Sequence, residues 1–180
     1  MEIRKTQIDG VFVLTPKVFG DSRGYFFESF CEKEFNALTG LDIRFVQDNQ
    51  SLSKRGVIRG LHFQREPHAQ AKLVRAVEGK ILDVAVDIRP GSPTFGHYVS
   101  EILSADNFKQ LFIPRGFAHG FAVLSERAVV AYKTDNYYCP EAEDAILWSD
   151  PDLAIDWHLP YAEAILSEKD KKNLPLRDRF

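Results

Sequence analysis

The stretch IRGLHFQ, Ile58 to Gln64, sets an arginine and a histidine inside a run of strand-forming residues. An imidazole titrates near neutrality and can take or give a proton there, although a lone strand histidine is more often a core or surface group. His62 has company. Period-two alternation puts Ile58, Gly60, His62 and Gln64 on one face of the strand and Arg59, Leu61 and Phe63 on the other. Lys72 interrupts the apolar run QAKLVRAV; pointing inward it would be strongly desolvated unless an anion met it, and at a strand end its ammonium would reach water. In ILDVAVDIR, Asp83 and Asp87 alternate with apolar residues, so that one or both enter the same interior, suited to orienting a cation rather than reacting. LFIPRGFAHGF adds His119 in Pro-x-Gly-x-x-His spacing, with Pro114 and Gly116 turning the chain before the next strand.

These side chains need a scaffold, and the sequence offers short β-branched and aromatic runs between turn residues: VFVLTP, GYFFESF, IRFVQDN, VIRGLHFQ, KLVRAVEG, KILDVAVDIR and AVVAYKTDNYY. The pattern is all-β. LVRAVEGKILDVAVDI reads as a hairpin turning at Glu78, Gly79 and Lys80, with one buried face. Helices are small and peripheral: CEKEFNALTG has helical spacing with Gly40 as its stop, and LSEKDKKNL opens on Ser167 as an N-cap. Many short strands with two small helices fit a jelly roll or related barrel whose open mouth holds a ligand.

The 180 residues predict one domain over positions 1–180, and fourteen phenylalanines with 44% hydrophobic residues supply its core. A formal net charge of -3 gives no basic footprint for nucleic acid. No apolar run approaches the ~18 residues a membrane span requires, and MEIRKTQIDG lacks the apolar core of a signal peptide. Cys31 and Cys139 have neither CxxC spacing nor companions, so reduced thiols in a cytoplasmic protein are expected.

The His119 segment resembles the second motif of the cupins, small jelly-roll proteins that often hold a metal. Metal-binding cupins usually supply two closely spaced histidines and a glutamate in their first motif, whereas His62, Phe63 and Gln64 followed by Lys72 provide too few ligands and a repelling charge. A barrel that works without metal is expected.

The ordered blocks FGDSRGYFFESF, FVQDNQS, RGLHFQ, PHAQAKLV, ILDVAVDIR, SPTFGHYV, LFIPRGFAHGF, YKTDNYY and LSEKD cover nearly the whole chain. In this set the chain resembles the dTDP-4-dehydrorhamnose 3,5-epimerase family, whose pattern is largely shared by single-carbon epimerases and keto-sugar isomerases. The resemblance implies a cupin-type jelly roll, usually a homodimer, acting without cofactor on dTDP-4-dehydro-6-deoxy-D-glucose. The missing GxGxxG loop agrees with the absence of a redox cofactor.

By the same resemblance His62 is the general base, Asp170 its carboxylate partner, Tyr132 the acid on the opposite face, and Lys72 the cation for the enolate oxygen. Read from sequence alone, Asp170 belongs to a solvated charge run, EKDKK, and Tyr132 is an ordinary strand tyrosine. His119 helps hold the sugar or its oxygen, and Arg59 resembles a diphosphate ligand. Regular alternation separates Arg59 from His62, so a bulge, a twisted strand end or a dimer contact must intervene if both serve one site. The resemblance further places Arg23, in its own or the partner's site, on phosphate, Glu28, Gln47 and Asn49 on the nucleotide, Tyr138 on thymine, and Glu143 and Lys169 near the substrate. His68, His97 and His158 have no supporting constellation and are expected in loops or at the surface. A noncatalytic cupin that only binds a sugar nucleotide is the competing reading.

Overall fold

Alternation in the strand segments is satisfied by two antiparallel sheets packed face to face. The computed structural model describes residues 1–180. Its strands are β1 (Glu2–Lys5), β2 (Phe12–Thr15), β3 (Phe19–Asp21), β4 (Gly24–Phe26), β5 (Gln47–Lys54), β6 (Ile58–Gln64), β7 (Lys72–Glu78), β8 (Lys80–Asp87), β9 (Tyr98–Ser104), β10 (Gln110–Ile113), β11 (Phe117–Val123), β12 (Arg127–Thr134) and β13 (Glu143–Ala145), with one α-helix, α1 (Glu32–Thr39). Six strands order as β1-β2-β10-β7-β12-β5 and five as β13-β6-β11-β8-β9, while β3 and β4 form a separate ribbon. This is the expected cupin-type jelly roll.

Strand β8 explains why so much of the chain is apolar. Ile81 and Ala85 point between the sheets with Val74, Leu111, Phe121 and Val130, and Leu82, Val84 and Val86 point outward beneath Trp148, Leu153 and Trp157 of the C-terminal segment. Both faces are covered, and each large aliphatic side chain so buried contributes roughly 1.5–3 kcal/mol. On the outer face of the six-stranded sheet, Phe35 of α1 packs against Phe12, Leu73 and Phe112. The helix ends at Gly40, whose φ of 72° suits the left-handed cap.

Two expectations need correction. Strands β7 and β8 do not form a hairpin: β7 pairs with β10 and β12, and β8 pairs with β9 and β11 in the other sheet. Gly79, at φ 75°, is the corner where the chain changes sheets, and a Cβ there would collide with the Arg127 carbonyl. One buried face per strand is equally compatible with a hairpin or a sheet change, which is why alternation alone misreads it. The second helix, opening at Ser167, is also absent. Only a 3-10 turn, Asp170–Lys172, forms, and the Ser167 hydroxyl accepts the Asp170 N–H at 3.1 Å. Parallel bridges from Val57 to Ile165 and from Ile146 to Leu174 hold the flanking chain extended across the outer sheet, leaving no length for a helix.

Asp150 anchors this covering segment, accepting the N–H groups of Asp152 at 2.8 Å and Leu176 at 2.7 Å. Trp157 Nε1 donates to the Trp148 carbonyl at 2.9 Å. Asp170 reaches the barrel on this segment.

Candidate active site

The conflict between Arg59 and His62 is resolved by a bulge in β6. Opposite β11, His62 pairs with His119 and Arg59 with Phe121, so three steps on β6 match two on its partner. The extra residue falls at Gly60 and Leu61. Gly60 has φ 130°, and a Cβ on it would lie 2.5 Å from Gly120 Cα, so both strands need glycine here. The bulge turns Ile58, Leu61 and Phe63 to the outer core and brings Arg59, His62 and Gln64 to one cleft. Regular alternation, which grouped Ile58 and Gly60 with His62, fails at this point.

The cleft, about 420 Å³, is lined from both sheets, with Asn49, Arg59, His62, Lys72, His119, Tyr132, Tyr138 and Glu143 among its walls. His62 Nε2 stands 2.9 Å from Asp170 Oδ1 and Nδ1 stands 3.4 Å from Glu143 Oε1. The Asp170 contact is short but not aligned as a hydrogen bond, since Oδ1 has no in-line donor. Burial pushes the Asp170 carboxyl up, but His62 and the Ser167 hydroxyl outweigh it and hold it below the usual range. Glu143 follows the same logic: burial raises it, and hydrogen bonds from Lys169 Nζ at 2.6 Å and the Tyr138 hydroxyl at 2.8 Å bring it lower.

Lys72 is buried, and its Nζ reaches only the His62 carbonyl, at 3.5 Å. Desolvation pulls its pKa down to about 8, against the opposing charges of Asp83 and Glu143. His119 is buried with Nε2 2.7 Å from Asp83 Oδ1; burial lowers its pKa and Asp83 only partly opposes this, so the ring is neutral at pH 7 and donates to the carboxylate. Of the two aspartates expected in the interior, Asp83 is there. Asp87 lies at the far end of β8, where Arg89, Ser92 and Thr94 bind its carboxylate and shape the following loop.

Tyr132 faces the cleft from β12, and burial raises its hydroxyl pKa with Arg59 opposing. Arg59 Nε donates to Ser53 Oγ at 3.0 Å. Gln47 donates to Asn49 Oδ1 at 3.0 Å and accepts the Tyr138 N–H at 3.1 Å, so it reaches the cleft through its neighbours. Lys169 does so through Glu143. Arg23 and Glu28 stand apart: Arg23 is on the β3–β4 ribbon, exposed and paired with Asp21 at 2.7 Å, and Glu28 is exposed on the segment that follows. His68, His97 and His158 are exposed in loops.

Sequence reasoning passed over Ser53, which holds Arg59. It also passed over the tethering role of Gln64, which donates to the carbonyls of His68 and Tyr137 and accepts the Cys139 N–H, fixing the loop that presents Tyr138. A signal existed in β5, where Gln47, Asn49, Ser51 and Ser53 make an unbroken polar period-two face.

The fold is a cupin-type jelly roll, and its cleft gathers a histidine, a tyrosine and a lysine, groups able to exchange protons, which defines the class of a jelly-roll isomerase. The family model for dTDP-4-dehydrorhamnose 3,5-epimerase matches residues 5–178. A dTDP-4-dehydrorhamnose 3,5-epimerase of Shigella flexneri is 55% identical over 170 residues, covering 94% of this chain and 93% of that protein. The crystal structure of such an enzyme from Elizabethkingia anophelis superposes with a TM-score of 0.95 at 52% identity, covering 99% and 98% of the two chains. A dTDP-6-deoxy-D-glucose-3,5-epimerase from Legionella pneumophila, in complex with dTDP-4-keto-L-rhamnose, gives 0.94 at 52% identity, covering 98% and 93%. The chain belongs to the dTDP-4-dehydrorhamnose 3,5-epimerase family. No helix is long and apolar enough to cross a membrane.

Proposed function

We propose that the protein inverts C3 and C5 of dTDP-4-dehydro-6-deoxy-D-glucose, giving dTDP-4-dehydro-L-rhamnose. The observation that carries this reading is the opposition of His62 and Tyr132: the first stands on the five-stranded sheet, the second on the six-stranded sheet, and both line one cleft with Lys72. The C4 ketone acidifies the hydrogens on C3 and C5. His62 takes one as a proton, and Asp170 steadies the imidazolium that forms. The electron pair moves to the C4 oxygen, where Lys72 donates to the growing enolate charge and His119 helps hold the sugar. Tyr132 returns a proton to the opposite face, which inverts the centre. Exchange with solvent then unloads His62 and reloads Tyr132 for the second carbon.

Arg59 meets the diphosphate with its planar fork. Gln47 and Asn49 bind the nucleotide, Tyr138 stacks on thymine, and Glu143 and Lys169 border the sugar. The exposed β3–β4 ribbon, with Phe19, Tyr25 and Phe26 facing solvent, supports a homodimer in which Arg23 of the partner subunit and Glu28 of the partner subunit complete the nucleotide end. In this reading residues 1–180 act as one domain of a cytoplasmic enzyme, in keeping with the free thiols of Cys31 and Cys139.

The test is incubation with the keto sugar in deuterated water without a reductase, following C3 and C5 by NMR. Label at both carbons is expected. Label at one carbon would make the protein a single-carbon epimerase, and binding without label would leave only a sugar-nucleotide-binding cupin.

A further inference from the structure

We propose that Asp83 is a positioning residue for the reaction, a counter-charge that keeps Lys72 protonated without touching it, so that the ammonium's N–H groups stay free for the substrate oxygen. The inference rests on the reading of Lys72 as the enolate's donor.

The carboxylate of Asp83 is fully buried in the barrel, a placement that is costly unless its charge is used. Oδ1 is taken by His119 at 2.7 Å, and Oδ2 has no hydrogen-bond partner. Lys72 is the complementary oddity, a buried ammonium that makes no ion-pair contact and bonds only one carbonyl. Asp83 lies on β8 and Lys72 on β7, in opposite sheets, so the two face each other across the barrel interior. His119 holds the carboxylate on its own side. A carboxylate in contact with Lys72 would occupy the donors that the enolate needs and cancel their field. Held beyond contact, it still favours the proton through a medium of low dielectric.

The other groups facing Lys72 leave this task to Asp83. Glu143, on β13, already accepts from Lys169 and Tyr138. His62 on β6 engages Asp170, His119 on β11 is neutral, and Tyr132 on β12 is a protonated phenol. Glu143 thus offsets Lys169 and Asp170 pairs with His62, which leaves Asp83, bonded through Oδ1 to a neutral ring, as the buried anion whose charge no other cation takes up.

The experiment is to titrate Lys72 directly by heteronuclear NMR of labelled lysine side chains, without substrate, in the wild-type protein, Asp83→Asn and Asp83→Glu, and to record the pH profile of kcat/KM for each. In Asp83→Asn the midpoint should fall by about one unit or more, with the alkaline limb of kcat/KM moving by the same amount. Asp83→Glu should recover at least half of both shifts. A Lys72 midpoint unchanged in Asp83→Asn, or one that falls as far in Asp83→Glu as in Asp83→Asn, overturns the assignment. Should Asp83→Asn fail to fold, Asp83→Ser removes the same charge with less bulk and carries the same test. Because the titration involves no turnover, it judges Asp83 separately from the proposed reaction. Full activity in Lys72→Ala would refute Lys72 as the enolate's donor, and with it the purpose assigned to Asp83, while leaving the epimerisation itself standing.

Discussion

Activity should fall as pH rises through the titration of Lys72. Burial brings this lysine from 10.5 to about 8, and only the ammonium can donate to an enolate oxygen. The charged fraction then drops from about nine-tenths at pH 7 to about one-eleventh at pH 9, about a tenfold loss. Tyr132 must also be protonated, but burial raises its pKa above that of an ordinary phenol, so it keeps its proton through this window. The first alkaline limb therefore belongs to Lys72. Initial rates of deuterium incorporation at constant ionic strength, from about pH 6.5 to 10, give the kcat/KM profile of the free enzyme. Lys72→Arg keeps its charge beyond pH 12 and should lose this limb, while Lys72→Met should lose both the limb and roughly 10²- to 10³-fold in rate, the usual worth of one such donor. A limb that stays near 8 in Lys72→Arg, or a wild-type profile flat to pH 10, would refute the reasoning.

The same burial opposes folding. The unfolded chain keeps the Lys72 proton up to 10.5 and the folded protein releases it near 8, so stability rises with pH between those values and the full cost, about 3 kcal/mol, applies below them. Lys72→Met should accordingly be more stable than wild type at pH 7 by up to that amount in urea titration, and the gain should shrink toward pH 10; equal stability at both pH values would contradict it. Asp170→Asn should lower kcat by about 10²- to 10⁴-fold, yet leave dTDP affinity by calorimetry nearly unchanged, because Asp170 touches His62 and not the cleft wall. A kcat within tenfold of wild type would remove its role. In Gly120→Ala the new Cβ would sit 2.7 Å from the Arg59 carbonyl oxygen, so a loss of about 1–3 kcal/mol is expected in thermal melts, together with loss of activity as Arg59 and His62 move. Undiminished turnover would show that the bulge does not set the site.

Much of this architecture was legible from local patterns, and its failures have a common cause. Period-two alternation located most of the strands, and Gly40 marked the end of α1, whereas the inward turn of Lys72 was one of two alternatives the pattern left open. What alternation cannot encode is which strand pairs with which. Glu78-Gly79-Lys80 looks like a hairpin turn because the residues of β7 and β8 alternate correctly on either side, and only contacts with β10 and β11 decide that the chain changes sheets there. The same blindness applies to β6. Its bulge is specified by the approach of Gly60 to Gly120, a partner sixty residues away, so no window around IRGLHFQ could show Arg59 and His62 on one face.

Asp170 is the sharpest case, because its neighbours argue for the wrong environment. Within EKDKK the four flanking residues are exposed, and Asp170 alone is buried. The difference comes from the path of the C-terminal segment: the Val57–Ile165 and Ile146–Leu174 bridges fix it at both ends against the outer sheet, and Ser167 caps the turn that points one carboxylate inward. Burying that carboxylate unpaired would be costly, and His62 at 2.9 Å is what offsets the penalty. The turn and the base therefore depend on each other. A charge run is soluble by default, and one member of it becomes part of a site only where the fold brings a partner that its chemistry requires.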